Sequence, residues 1–167
     1  MICIRSDAEK QAEQIRISAD YQNGVNSRRQ KAHGVVVTPV EVVDFILRSC
    51  IEQVNAKGKE IDDDGVEWLD PFAGTGIFIA RLLQIAPLTP ERKYALAQNC
   101  IVIEIDPDAA RLCFINLARV HLEETGRVGF VRVLCADTVA LDSDYDFWED
   151  RYGYPGVVHV QKGGNND

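Results

Sequence analysis

Hydrophobic and polar positions follow one another in two kinds of block, which predicts short buried strands separated by longer amphipathic helices. Apolar runs of strand length occupy residues 66–69, 100–105 and 128–134, and a weaker run at 156–160 is a candidate fourth strand. The run at 100–105 is almost continuous, which is typical of strands buried on both faces of a parallel sheet.

Helical periodicity fills the intervals between these runs. The predicted helices span residues 6–21, 39–56, 77–86, 90–98 and 107–125. The second is expected to begin with Thr38 as N-cap, Pro39 at the first helical position and Glu41 closing a capping box. The first helix has a thin apolar stripe, which predicts a peripheral helix or one that docks on something outside the chain. The stripe consists of Ala8, Ala12, Ile15 and Ala19.

The alternation of strands and helices predicts an α/β fold with a doubly wound, mostly parallel sheet. Two units are expected: residues 1–34 as an N-terminal helix with a basic linker, and residues 35–167 as the main domain. A chain of 167 residues is long enough to bury its own core. We find no internal repeat.

Charge is distributed unevenly along the chain, with a net charge of −8. Residues 1–34 carry six Lys/Arg and four Asp/Glu, whereas the remainder carries twelve and twenty-two. This balance excludes non-specific nucleic-acid binding by the main domain through charge alone. The local candidate for such binding is the basic cluster Arg28, Arg29, Lys31 and His33, for which a solvated linker is an equally good interpretation.

The five cysteines form no C-x-x-C pair, and most lie in apolar runs, which predicts buried free thiols in a reducing, cytoplasmic compartment. No apolar run approaches the roughly 20 residues that span a bilayer. The acidic turn at 62–65 lacks metal-ligand spacing and is interpreted as a solvated loop, so no metal is expected.

The most informative segment is Asp70-Pro71-Phe72-Ala73-Gly74-Thr75-Gly76, which joins a predicted strand to a predicted helix. Glycines in such a turn let a ligand approach the backbone closely, which predicts a loop for a nucleoside-containing cofactor. The third small residue of the dinucleotide fingerprint is absent, which argues against NAD, and no Gly-Lys-Ser/Thr of a P-loop follows. A structural glycine turn without a ligand is the simpler alternative.

Three predicted strands end in an acid, namely Asp70, Glu104 and Asp137. Because ligands of such sheets bind at the carboxyl ends of the strands, these acids are expected to lie together. Glu104 is placed to accept hydrogen bonds from both ribose hydroxyls, and Asp137 from an adenine amino group. Asp70, at the mouth of the loop, could approach an ammonium group directly or through water.

Four segments resemble motifs of the N6-adenine DNA methyltransferases of restriction–modification systems, which use S-adenosylmethionine (SAM). Residues 33–45, with the Thr38-Pro39 pair, look like motif X, although the position before Thr38 often holds an aromatic and here holds Val37. The segments that look like motifs I, II and III are residues 69–78, 102–107 and 135–138. The order X–I–II–III is shared with γ-type amino-methyltransferases, type I modification subunits and fused restriction–modification enzymes.

This resemblance implies a class I, Rossmann-like SAM-binding domain and a set of cofactor contacts. Thr38 and Pro39 would border the methionine end of SAM, and Asp70 would lie near its amino group. Glu104 would hold the ribose, Ile105 would stack on the adenine, and Asp137 with Thr138 would meet the adenine amino group. The loop that would enclose the cofactor is Phe72, Ala73, Gly74, Thr75 and Gly76.

The sequence lacks the catalytic Asn/Asp/Ser-Pro-Pro-Tyr/Phe segment that these enzymes use to hold a flipped base. No catalytic residue can therefore be named. The expectation is a partial domain cut before its catalytic motif and inactive alone, which meets DNA through the missing remainder or a larger partner subunit. Two alternatives stay open: a non-catalytic SAM-binding or interaction subunit that needs a partner, and a methyltransferase acting on RNA or protein.

Overall fold

The computed structural model describes residues 5–24 and 37–141 together with the backbone of 157–159. The basic cluster at 28–33 and the acidic segment at 142–150 lie outside the described residues. The helices are α1 (Asp7–Gly24), α2 (Val40–Ala56), α3 (Ile77–Ile85), α4 (Pro90–Gln98) and α5 (Pro107–Thr125). The strands are β1 (Trp68–Asp70), β2 (Cys100–Glu104), β3 (Arg132–Cys135) and β4 (Val157–His159), and a short 3-10 helix covers Thr138–Ala140.

The sheet is parallel throughout and has the order β1-β2-β3-β4. Asp70 is paired with Val102, and Glu104 is paired with Cys135. All strands therefore end at the same edge, which confirms the expected α/β fold with a parallel sheet. This order adds each strand beside the previous one, so the reversal of strand order that marks the switch point of a doubly wound sheet is absent from the described residues.

The two faces of the sheet are covered differently. Side chains from β2 and β3 join the apolar residues of α2, α3, α4 and α5 in one large core. The opposite face carries a small cluster that contains no helical residue, formed by Ile101, Ile103, Leu134 and Ala136 with Leu141 against it. In the part of the chain that the structure describes, helices thus pack into the core of one face, whereas the doubly wound prediction places helices on both.

Helix α1 packs on the domain through polar side chains, and no residue of its thin apolar stripe is buried in that contact. Gln14 and Ser18 are buried, whereas Ile15 of the stripe is 47% exposed. Gln14 has its hydrogen-bond partner on α5 and Ser18 has its partner in the loop after β1, so their desolvation is compensated. Ion pairs of Lys10 with Glu124 and of Glu13 with Arg119 add to this attachment.

A fully buried arginine connects the first three helices. The guanidinium of Arg81, on α3, donates to both carboxylate oxygens of Asp44 on α2 at 2.8 Å. It also donates to Asp7 of α1 at 2.9 Å and to Gln84 at 2.9 Å. Burial raises the pKa of the Asp44 carboxyl, but the hydrogen bonds and positive charge of Arg81, together with smaller contributions from Gln11 and Arg48, hold that pKa below its usual range.

Two predicted boundaries are wrong. Helix α2 begins at Val40, with Pro39 as N-cap and without a side-chain cap, because Pro39 is extended (ψ 139°) and its carbonyl accepts from the first-turn amides. Thr38 is then one residue too early to cap the helix. Strand β3 begins at Arg132 rather than at 128, because Val128 is 76% exposed and Phe130 stacks on Phe114 of α5.

The described residues bear on three expectations: membrane-spanning helices, metal ligands and the state of the cysteines. No described helix combines the length and the apolar character needed to cross a bilayer. Within residues 5–24 and 37–141, no group of three or more His, Cys, Asp or Glu side chains is arranged to hold a metal ion. Three cysteines, Cys100, Cys113 and Cys135, are buried free thiols, and Cys50 is exposed.

Candidate functional site

The glycine loop leaves β1 after Asp70 and enters α3 at Ile77, as the sequence predicts. The amide of Ala73 donates to the carbonyl of Ile103 at 2.9 Å, which fixes the loop on β2. The amide of Gly76 donates to the carbonyl of Ala73 at 2.8 Å and closes the turn. Both loop glycines have positive φ, 54° at Gly74 and 81° at Gly76, a region that L-residues with side chains rarely adopt.

The two glycines serve different purposes. A Cβ at Gly76 would lie 2.7 Å from the Sγ of Cys113 and 3.2 Å from Cγ of Leu117, so this glycine lets α3 pack closely on α5. A Cβ at Gly74 would meet nothing within 4 Å, so the backbone there faces open space. Close approach of a ligand is therefore possible at Gly74, whereas Gly76 is required by the core.

We expect Gly76→Ala to destabilise the fold by about 2–4 kcal/mol, because overpacking adds to the strain of a positive φ. Gly74→Ala carries the backbone strain alone and should cost about 1 kcal/mol. Urea unfolding of the two variants measures this difference. Equal losses of unfolding free energy would contradict the separate functions of the two glycines.

Glu104 is held by backbone amides at the end of β2. Its Oε2 accepts from the amide of Gly74 at 2.7 Å, and its Oε1 accepts from the amide of Asp106 at 2.8 Å. The carboxylate is therefore fixed against the glycine loop. Because each oxygen retains a second lone pair, both can still accept from the hydroxyl groups of a ligand.

Asp70 lies behind the loop, and its carboxylate is only partly satisfied. Oδ1 accepts from the amide of Phe72 at 3.3 Å, whereas the buried Oδ2 has no hydrogen-bond partner. Burial, opposed by the Phe72 amide and assisted by the negative charge of Glu104, raises the pKa of Asp70 to about 6. A carboxylate in this state favours a cation or a proton donor nearby.

The raised pKa of Asp70 predicts a specific pH dependence of stability. Because the folded state binds this proton more tightly than the unfolded chain, the contribution is present below pH 4 and is lost as the pH rises through 6. We expect Asp70→Asn to remove this slope and to be more stable than the parent at pH 7 by about 1–3 kcal/mol. Thermal unfolding of both proteins from pH 4 to pH 7.5 measures this difference. If the stability of the parent and of Asp70→Asn changed with pH in the same way, the raised pKa would not belong to Asp70.

The segment after β3 closes the opposite wall. Asp137 is exposed, and its carboxylate accepts from the amide of Val139 at 3.1 Å, which caps the 3-10 helix. Thr138 donates its hydroxyl to the carbonyl of Pro71 at 2.6 Å. This bond connects the loops that follow β1 and β3, so the two walls of the site are held together.

These elements surround a cavity of about 310 Å³ at the carboxyl ends of the strands. Two apolar side chains are exposed at it, Phe72 at 71% and Ile105 at 42%. Of the twelve predicted site residues, the structure brings nine to its walls: Thr38, Phe72, Ala73, Gly74, Thr75, Glu104, Ile105, Asp137 and Thr138. Pro39, Asp70 and Gly76 adjoin these residues in sequence but do not line the cavity.

Sequence reasoning missed several lining residues. Ser18 and Tyr21 come from α1, which the sequence assigns to a separate N-terminal unit. Val37 precedes the predicted helix at 39–56, and Ala109 lies in the first turn of the predicted helix at 107–125. The available signal was the polar spacing of α1, where residues 14, 18 and 21 share one helical face.

The fold is similar to segments of large proteins solved in complex with DNA or a DNA mimic. No family model and no curated protein matches the chain. The DrdV–DNA complex is 24% identical over 82% of this chain, with a TM-score of 0.68. Two Type ISP restriction–modification enzymes, LlaGI with a DNA substrate mimic and LlaBIII bound to DNA, are 28% identical over 62% and 66% of this chain, each with a TM-score of 0.56. The matched segment spans 14% of the DrdV chain and 9% of each of the others.

Proposed function

We propose that this chain is the SAM-binding part of a DNA adenine-N6 methyltransferase that belongs to a restriction–modification enzyme. The observation that carries the proposal is the position of Glu104, whose carboxylate is fixed on the glycine loop at the edge of a cavity with exposed apolar side chains. A nucleoside has matching chemistry, because it presents a ribose diol beside an apolar base.

The remaining polar groups fit SAM in particular. Glu104 would accept from the ribose hydroxyls, while Phe72 and Ile105 would pack on the base. Asp137 retains acceptor capacity for the base amino group after capping the 3-10 helix. The unpaired Oδ2 of Asp70 is a counter-charge for the amino group of the methionine part, directly or through water. Bound SAM would supply an electrophilic methyl group, and these residues would bind and orient it.

The DNA context of the proposal rests on the compared enzymes. LlaGI and LlaBIII are restriction–modification enzymes in complex with DNA or its mimic, and this chain corresponds in fold to a small part of each. Because the chain has a net charge of −8, DNA would be bound mainly by other parts of the assembly. Because the sequence contains no Asn/Asp/Ser-Pro-Pro-Tyr/Phe segment, the proposal assigns cofactor binding to these residues and assigns no transfer step to them.

Calorimetric titration with SAM, NAD and ATP tests cofactor binding. We expect SAM to bind and the other two to bind far more weakly, because the loop lacks the spacing of the dinucleotide and P-loop fingerprints. SAM affinity should also rise between pH 5 and pH 7, since a nearby ammonium favours the ionised form of Asp70. No binding at millimolar SAM would contradict the proposal.

Mass spectrometry of nucleosides tests the DNA substrate. Genomic DNA from the source cells should lose N6-methyladenine when the gene is deleted, and a plasmid copy of the unchanged gene should restore it. A plasmid copy carrying Glu104→Ala is the matched control, and it should fail to restore the modification. Unchanged N6-methyladenine after deletion would contradict the adenine assignment without affecting cofactor binding.

A further inference from the structure

We propose that α1 is a positioning element of the cofactor site, which holds the glycine loop in its binding geometry through a buried polar seam. The seam is defined as Gln14 and Ser18 of α1, Thr75 of the loop and Asn116 of α5. This inference goes beyond the proposed function and rests on it where the ligand is concerned. Nothing in the motifs of the loop itself requires a helix from the first 24 residues.

The seam is formed by side chains that are almost completely removed from solvent. Gln14 is 0% exposed, Ser18 and Asn116 are each 3% exposed, and Thr75 is 5% exposed. Gln14 and Asn116 exchange two amide hydrogen bonds of 2.9 and 2.8 Å. The hydroxyls of Ser18 and Thr75 are 3.1 Å apart, within hydrogen-bond distance.

Thr75 is held at two points. Its carbonyl accepts from the side-chain amide of Asn116 at 3.0 Å, and its hydroxyl is bonded to Ser18. Thr75 lies between Gly74, which faces the open cavity, and Gly76, which is packed against α5. The seam therefore holds Thr75 in place, and the position of Thr75 determines how the backbone of the neighbouring Gly74 is oriented.

The polar character of the seam determines a single register for α1. Asp7, Gln11, Gln14 and Ser18 follow the spacing of one helical face, and each has a specific partner in the domain or on the helix. Sliding the helix by one turn would leave the buried Gln14 and Ser18 unpaired, at a cost that an apolar face would not incur. The register also places Ser18 and Tyr21 in the cavity wall.

Docking of α1 and binding of a ligand are consequently coupled. A ligand that requires the ordered loop is bound more tightly when α1 is docked, and by reciprocity it stabilises the docked helix. The chain thus contains a device by which events at its N-terminal helix change the affinity of the cofactor site.

A double-mutant cycle on Ser18 and Thr75 tests the positioning role, with SAM as the calorimetric probe. Ser18→Ala and Thr75→Val should each weaken SAM binding about tenfold, and the double variant should be weakened by about the same factor instead of about a hundredfold. Thr75→Ser, which retains the hydroxyl, should restore affinity to within about twofold of the parent. Asp20→Ala, on the exposed side of α1, is the matched control and should leave affinity unchanged.

Hydrogen exchange tests the positioning role of α1 without any ligand. In the unliganded protein, Ser18→Ala should accelerate exchange of the amides at 73–76 about fivefold or more, and Asp20→Ala should not. If the parent binds no SAM but this acceleration is seen, the proposed function fails and the positioning role stands. Unchanged loop exchange in Ser18→Ala, or additive losses of affinity in the cycle, would overturn the positioning role.

Discussion

Replacement of Glu104 by alanine is expected to weaken SAM binding at least a hundredfold, the largest effect of any single substitution in the cavity. The carboxylate accepts from the amides of Gly74 and Asp106, and in the proposed complex it also accepts from the ribose. Hydrogen bonds to a charged acceptor contribute about 1.5–3 kcal/mol each. The loss of the two bonds from the ribose hydroxyls therefore accounts for a roughly hundredfold weakening of SAM binding. Calorimetry at pH 7.5 measures it.

Two further variants make the Glu104 experiment specific. Glu104→Gln should bind with intermediate affinity, because its amide retains one acceptor oxygen but turns an NH2 group toward the amide of Gly74 or of Asp106. Glu52→Ala removes an exposed acid on α2 and should leave the SAM affinity unchanged. Wild-type affinity in Glu104→Ala would show that the ligand binds without this carboxylate.

Replacement of Arg81 by alanine is expected to produce the largest loss of stability, about 3–5 kcal/mol. The substitution leaves the carboxylate of Asp44 buried without its bidentate partner and removes the bonds to Asp7 and Gln84. An uncompensated buried charge costs far more than the net contribution of the intact pair. Chemical unfolding monitored by tryptophan fluorescence and by circular dichroism measures the change.

Arg92 offers a matched control for Arg81. It also forms ion pairs with two acids, Asp62 and Glu60, but its side chain is 44% exposed. Its replacement by alanine should lower the free energy of unfolding clearly less than that of Arg81, because Arg92 and Glu60 are 44% and 65% exposed and only the Asp62 side chain, 9% exposed, is left with little water. The paired change Arg81→Met with Asp44→Leu should recover much of the stability lost in Arg81→Ala, since no charge remains buried. Equal losses for Arg81→Ala and Arg92→Ala would contradict this account.

Much of the fold follows from local patterns. The runs at 66–69 and 100–105 predict β1 and β2 because apolar residues of strand length between polar turns have few other ways to be buried. Helix α5 covers the predicted residues 107–125, since Asp106 caps its start and Gly126 adopts a positive φ at its end. The fold could therefore be predicted wherever the residues of a single segment determine its secondary structure.

The sequence failed where a boundary or a face depends on distant residues. The apolar run at 128–131 does not extend β3, since Val128 is exposed and Phe130 stacks on Phe114 of α5. The packing face of α1 could not be predicted, because apolar periodicity identifies buried positions only where they are apolar. Gln14 is buried because its partner Asn116, 102 positions later, satisfies its amide, and no local pattern reports this.

The candidate site shows the same division. The sequence by itself determined the glycine loop and the acids at the strand ends, because parallel strands bring their carboxyl ends to one edge whatever else surrounds them. Only the tertiary structure decided that Gly76 serves packing while Gly74 faces the cavity, that Asp70 is buried with an unpaired oxygen, and that α1 forms part of the wall. Each of these depends on which groups meet across the fold, since burial and hydrogen bonding are properties of contacts between distant segments.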